Sequence, residues 1–156
     1  MAIKVGNKGV ANIFIGSTPV KSVYKGNTKI WASESWHAIF DTEKTWTGNT
    51  TSTTVIASTT NESKKFRITY KAIGYYVTVY QHTSKNSNTE YTDTFEISDT
   101  GTIQMIQTGY SDFQSDAKSK VELLYNVSTK EFSIKLTKRG NQSNGSLTIY
   151  KIEQFF

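Results

Sequence analysis

Cysteine is absent from the 156 residues, so neither a disulfide nor a thiolate metal site is available. Histidine occurs only at His37 and His82, with no His-x-His or His-x-x-x-His pair. A transition-metal site would have to be assembled from isolated residues. The glycine patterns of a P-loop, of a dinucleotide-binding turn and of a Gly-x-Ser-x-Gly elbow are missing. No apolar run approaches the roughly 20 residues that cross a bilayer. Lys4, Lys8 and two early glycines interrupt any signal-peptide core. Arginine is confined to Arg67 and Arg139 and the lysines are scattered, so the net charge of +5 reads as a solubility feature and not as a nucleic-acid face. These absences predict no metal, no cofactor, no nucleic acid and no membrane partner, and synthesis in a cytoplasm.

The carboxylates lead to the same place. Asp93, Glu96 and Asp99 bracket one predicted strand, and Asp112 and Asp116 lie in a predicted loop. Neither set alternates so as to aim two acids into one cleft, and the spacing of an EF-hand is missing. Solvated strand edges and loops account for them, and the chain is expected to be non-enzymatic.

What the sequence has in quantity is Thr, Ser and Asn, 50 residues together, with aromatics at 13% and a single proline. β-Branched, aromatic and small polar residues at that level favour short strands joined by hydrogen-bonding turns. The chain reads as all-β. Its length allows one ordinary domain, burying roughly 68 to 70% of its unfolded surface, plus a small appendage.

The strongest non-random feature is a ten-residue unit at the N-terminus. Its copies are Ile3-Lys-Val-Gly6-Asn7-Lys-Gly-Val10, Ile13-Phe-Ile-Gly16-Ser17-Thr-Pro-Val20 and Val23-Tyr-Lys-Gly26-Asn27-Thr-Lys-Ile30, closed by Trp31. Each has an apolar residue three before the glycine and another four after it. Gly followed by Asn or Ser supplies the positive-φ positions of a two-residue hairpin turn, so residues 1–31 predict a short β-meander or hairpin element. Such a unit cannot bury both faces, and the sheet must lean on the following domain or on a neighbouring subunit.

After the polar link at 32–35, residues 36–156 predict a β-sandwich of jelly-roll type, with short strands and no helical run between them. Period-two alternation places Phe66, Ile68, Tyr70, Phe95, Ile97, Ile103, Met105, Val121, Leu123, Tyr125, Phe132, Ile134, Leu136, Leu147 and Ile149 inward. Trp46, Tyr75, Tyr76, Tyr80, Tyr91, Tyr110 and Phe113 exceed what one core consumes, and several fall in predicted loops. Aromatic rings with amide and hydroxyl neighbours suit sugar stacking or a polar protein interface; packing at the ends of the sandwich is the competing reading. Phe155-Phe156 at the end of the last strand requires cover, either from the core or from an assembly contact.

The tandem unit, with Ile13-Phe-Ile-Gly-Ser-Thr leading to Val23-Tyr-Lys-Gly-Asn-Thr-Lys-Ile-Trp31, resembles an N-terminal element of structural proteins of tailed bacteriophages and prophages. The sandwich region resembles theirs more loosely, through Thr45-Trp46-Thr-Gly-Asn, Lys65-Phe-Arg-Ile-Thr-Tyr70 and the closing Ile149-Tyr-Lys-Ile-Glu-Gln-Phe-Phe. The first copy departs from the pattern, with Gly9 where the others carry Pro19 and Lys29 and with no aromatic. The resemblance implies a non-enzymatic virion component of the capsid surface, neck, tail or baseplate, present in multiple copies and located in the virion. It implies docking on other virion proteins through Ile13, Phe14, Ile15, Val23, Tyr24, Ile30 and Trp31. The alternative is a receptor- or carbohydrate-binding module that reads a host-surface glycan with Trp46, Tyr75, Tyr76, Tyr110 or Phe113.

Overall fold

A computed structural model describes residues 4–5, 8–9, 13–15, 17–20, 22–25, 28–32, 34–109, 119–138 and 145–156, with backbone only at 4–5, 8–9 and 28–32. The chain is all-β, and no helix occurs among the described residues. The N-terminal repeat folds as three separate antiparallel hairpins. They are β1 (Lys4–Val5) with β2 (Lys8–Gly9), β3 (Ile13–Ile15) with β4 (Thr18–Val20), and β5 (Ser22–Lys25) with β6 (Thr28–Ala32). The registers Val5↔Lys8, Ile15↔Thr18 and Lys25↔Thr28 leave two residues in each loop, and these are the Gly-Asn or Gly-Ser dipeptides. Among the described residues no strand of one hairpin pairs with a strand of the next.

Among the described residues eleven further strands build the sandwich: β7 (Trp36–Phe40), β8 (Lys44–Thr47), β9 (Ser52–Ser58), β10 (Lys65–Ile73), β11 (Tyr76–Val79), β12 (His82–Lys85), β13 (Thr89–Glu96), β14 (Thr102–Gly109), β15 (Lys120–Asn126), β16 (Glu131–Thr137) and β17 (Ser146–Phe155). One sheet has the order β13-β10-β17-β7, with β8 sharing the far edge of β17; the other runs β12-β11-β14-β15-β16-β9. All pairings are antiparallel.

Alternation along these strands dictates the core. Phe66, Ile68, Tyr70 and Ala72 of β10 point inward from the first sheet, against Val121, Leu123 and Tyr125 of β15 and Phe132 and Ile134 of β16. Phe66 meets Tyr125 at 4.8 Å and Phe132 edge-on at 5.1 Å between ring centroids, so one ring joins the sheets. Leu136 is only half-buried, at the core margin. A bulge in β14 breaks the alternation: Gln104 pairs with Leu124 and Ile106 with Leu123, so Met105 and Ile106 both face inward and Thr108 follows them.

Both sheets end in step, and this fixes where loops and termini fall. β7 enters at the end where Trp36 pairs with Phe155. Ser35 and Phe156 exchange both backbone hydrogen bonds there, each at 3.0 Å. At the opposite end Ser146 pairs with Thr47 on one side and Ile73 on the other, and the connections after β8, β10, β12, β14 and β16 emerge together. The chain therefore enters the sandwich at one end and presents five of its loops at the other.

Candidate functional site

The loop end is held by close backbone approach. A side chain at Gly74 would place its Cβ 2.3 Å from Thr108 Oγ1 and 2.8 Å from Gly109 N; one at Gly48 would lie 2.7 Å from the Ser119 Cβ. Thr108, fully buried, donates its hydroxyl to the Ile73 carbonyl at 2.7 Å, while Gly48 N–H donates to Gly145 O at 3.1 Å. Tyr75 N–H donates to Gly109 O at 2.8 Å, which ties the β10–β11 turn to the end of β14. These contacts lock the roots of the loops that leave β8, β10, β14 and β16.

On this frame Tyr75 is 70% exposed. Tyr76 is half-buried on β11, and its hydroxyl accepts from Gln107 Nε2 at 3.0 Å. Trp46, whose neighbours read as a loop, lies on β8: it pairs with Leu147, packs on the core beside Phe40 at 6.2 Å, and carries the Lys44 ammonium 5.4 Å from its ring centroid. Trp46 is thus engaged in packing. Tyr110 and Phe113 lie outside the described residues, in the connection whose roots, Gly109 and Ser119, belong to the same end. The structure brings Tyr75, Tyr76 and Trp46 to one end of the sandwich, with Tyr75 the most exposed of the three.

The docking candidates sit on the N-terminal hairpins. Phe14 and Ile15 of β3 are 58% and 77% exposed and Tyr24 of β5 is 57% exposed, while Ile13 and Val23 are half-buried. The side chains of Ile30 and Trp31 lie outside the described residues; their backbone belongs to β6, where Trp31 pairs with Val23. No strand of these hairpins pairs with a sandwich strand among the described residues. Pro19 pairs with Phe14 one step beyond the loop-flanking pair Ile15↔Thr18. Flanking pairs of a two-residue loop are hydrogen-bonded and pairs alternate, so Pro19 faces its missing N–H outward and costs the ladder nothing.

The opposite end of the sandwich carries a group of rings and charges on the outer face. Arg67 Nε donates to Glu153 Oε2 at 2.7 Å, Lys151 Nζ lies 3.1 Å from Glu153 Oε1, and the Arg67 guanidinium lies over the Trp36 ring at 4.5 Å. The hydrogen bond from Arg67 holds the Glu153 carboxyl below its ordinary range, against the opposing effect of its burial. Phe155 lies 5.2 Å from Trp36 with the Lys65 ammonium 4.7 Å above it, and Phe156 stacks on His37 at 4.1 Å. Phe155 is covered by Trp36 on the outer face, whereas Phe156, which follows it on the alternate side, stacks on His37 and stays partly exposed.

Asp93 is not a solvated edge residue. It points inward from β13, accepts the Tyr70 hydroxyl at 2.7 Å and pairs with Lys85 Nζ of β12 at 2.9 Å. Period-two reading could find Asp93 on the inner face, since it alternates with Phe95; it could not find the partners, which come from two other strands. Burial, and then the hydrogen bond to Asp93, push the Tyr70 phenol far above its ordinary value. The acid closes the open side of the sandwich between the edge strands of the two sheets. Both histidines are also engaged in packing, His82 edge-on to Phe95 at 5.4 Å. Among the described residues no three His, Asp or Glu side chains gather as a metal site. No family model, curated protein or solved structure matches this chain.

Proposed function

We propose that this chain is a non-enzymatic structural or decoration protein of a tailed-phage particle, docked through its N-terminal hairpins and displaying the sandwich. The observation that carries the reading is the exposure of Phe14, Ile15 and Tyr24 on ribbons that pair with no sandwich strand. A two-stranded ribbon with apolar side chains open to solvent is marginal alone and gains its stability from whatever covers them. The geometry supports display as well, because the hairpins lead into the end of the sandwich opposite to its five clustered loops. The partners in this reading are capsid, neck or tail proteins met in multiple copies.

The strand order supports a jelly roll as the finer description of the sandwich. With β7 and β8 counted as one interrupted strand, the sheets read first-last-third-sixth and second-ninth-eighth-seventh-fourth-fifth. That is the order of an eight-strand jelly roll whose penultimate strand has become a three-strand meander.

Docking is tested with the full chain carrying Phe14→Ser, Ile15→Ser and Tyr24→Ser. Its incorporation into purified particles is expected to fall by at least about tenfold, the effect of losing roughly 1.4 kcal/mol of contact, with the sandwich's melting temperature unchanged. Undiminished incorporation removes the docking reading. A second reading, favoured by Tyr75 alone at the loop end, is glycan recognition by ring stacking. Binding on a glycan array that disappears with Tyr75→Ala supports it, and an array with no binding glycan eliminates it.

A further inference from the structure

The net charge is not spread over the molecule. Residues 1–33 contain five lysines (Lys4, Lys8, Lys21, Lys25 and Lys29) and no Asp or Glu, while residues 34–156 hold 13 basic and 13 acidic side chains and are neutral. The entire +5 therefore belongs to the hairpin segment, and the solubility reading of the charge gives way to a local one. The same segment offers exposed Phe14, Ile15 and Tyr24, and each of its hairpins is a two-stranded sheet whose outer edges pair with no other strand among the described residues. At Phe14 the backbone N–H and C=O face outward, because Phe14↔Pro19 is the non-hydrogen-bonded pair.

We propose that the hairpin segment docks on an acidic protein surface that presents an open strand edge, and that it is held there by added strand pairing, apolar contact and lysine attraction together. This rests on the docking reading above and specifies its partner. A second copy of the segment would set five lysines against five, and the sandwich carries no net negative charge to offset them, so the complementary charge is assigned to a different chain. A nucleic acid would satisfy the lysines but leave the outward backbone groups and the apolar rings without partners, and the segment lacks the arginines that bind phosphate bidentately. A membrane surface would cover the rings but leave the ribbon's edges unpaired in a medium that offers no hydrogen bonds. A polypeptide edge satisfies all three features at once.

The test is an NMR titration of the full chain with a short peptide alternating Glu and Val, and with its counterpart alternating Lys and Val. Duplex DNA and phosphatidylglycerol vesicles, matched in charge concentration, are the competing probes. The Glu peptide is expected to shift backbone amides of β3 to β6 and to lose about tenfold in affinity between about 50 mM and about 300 mM salt. Replacing all five lysines by Gln should abolish the response, and replacing them by Arg should retain it. An equal response to the Lys peptide, persistence in the Gln variant, or no response to either peptide overturns the acidic edge. A stronger response to DNA or vesicles overturns the choice of a polypeptide. Those failures leave particle incorporation of the wild-type chain untouched, whereas incorporation that survives loss of Phe14, Ile15 and Tyr24 is the distinct failure of docking itself.

Discussion

Glu153 shows how one side chain couples the sandwich to pH. It is nearly buried on the outer face of β17, and Arg67 and Lys151 compensate for its desolvation. Because its carboxyl is held below the ordinary range in the folded chain, the unfolded chain binds the proton more readily. The stabilisation from this group is therefore complete above the ordinary carboxylate range and is lost as pH falls through the depressed folded value. Glu153→Gln keeps the shape but removes the charge opposite Arg67, whose own guanidinium is one-third exposed and rehydrates in part. The variant is expected to lose about 1.5 to 3 kcal/mol at pH 7, the range for a hydrogen bond to a charged group. In urea unfolding the gap between variant and wild type should close as the pH is lowered through the depressed value of the folded carboxyl. A gap of the same size at acid and neutral pH would mean that packing, and not the ion pair, is what the substitution removes.

At the scale of elements, the buried Asp93 links strands that no backbone ladder joins. β12 is an edge of one sheet and β13 an edge of the other. Lys85 reaches Asp93 across that opening, and Tyr70 meets the same acid from β10. Removing a buried ionic partner leaves its neighbours desolvated and unpaired, which costs about 3 to 5 kcal/mol. Asp93→Ala should lower the unfolding free energy measured in urea by that amount, whereas a loss under about 1 kcal/mol would show that the two edges are held by apolar contact alone. The example also marks what was legible in the sequence. Strands such as β15 and β16 carry their signal in apolar alternation, with Val121, Leu123, Tyr125, Phe132 and Ile134 inward as the pattern predicts. β12, His-Thr-Ser-Lys, has no apolar residue, and it forms because β11 offers it an edge. β8 is equally short, and its Trp46 reads as a loop aromatic until its pairing with β17 is seen. The β14 bulge hides Ile106 and Thr108 from any period-two count, since the extra residue shifts the alternation midway. Of the recognition candidates, Tyr75 reads as the first residue of a strand but lies in the bend before β11, and the convergence of loop roots through Gly48 and Gly74 arises between distant segments and leaves no local pattern.

For the whole molecule, stability and charge are divided between two parts of the chain. The sandwich buries its apolar surface against itself and is electrically neutral, while the hairpin segment exposes apolar side chains and carries all of the excess charge. Hairpins of this size bury too little to offset the entropy of ordering them, so their hydrogen bonds open at a small fraction of the global unfolding free energy. Native-state hydrogen exchange should resolve this division. Amides of Ile13, Ile15, Thr18 and Val20, which face the ladder of the second hairpin, are expected to exchange with protection of no more than about 1 to 2 kcal/mol. Amides of Phe66, Ile68 and Ile149 in the paired interior of the first sheet should exchange only through global opening, at about 5 to 15 kcal/mol. Occupation of the hairpins by a strand-bearing partner should raise protection in the first group and leave the second unchanged, since a ligand stabilises only the opening that its site takes part in. Equal, high protection in both groups of the free chain would make the hairpins and the sandwich one cooperative unit. In that case the exposed Phe14, Ile15 and Tyr24 would gain nothing from a partner that the chain does not already supply.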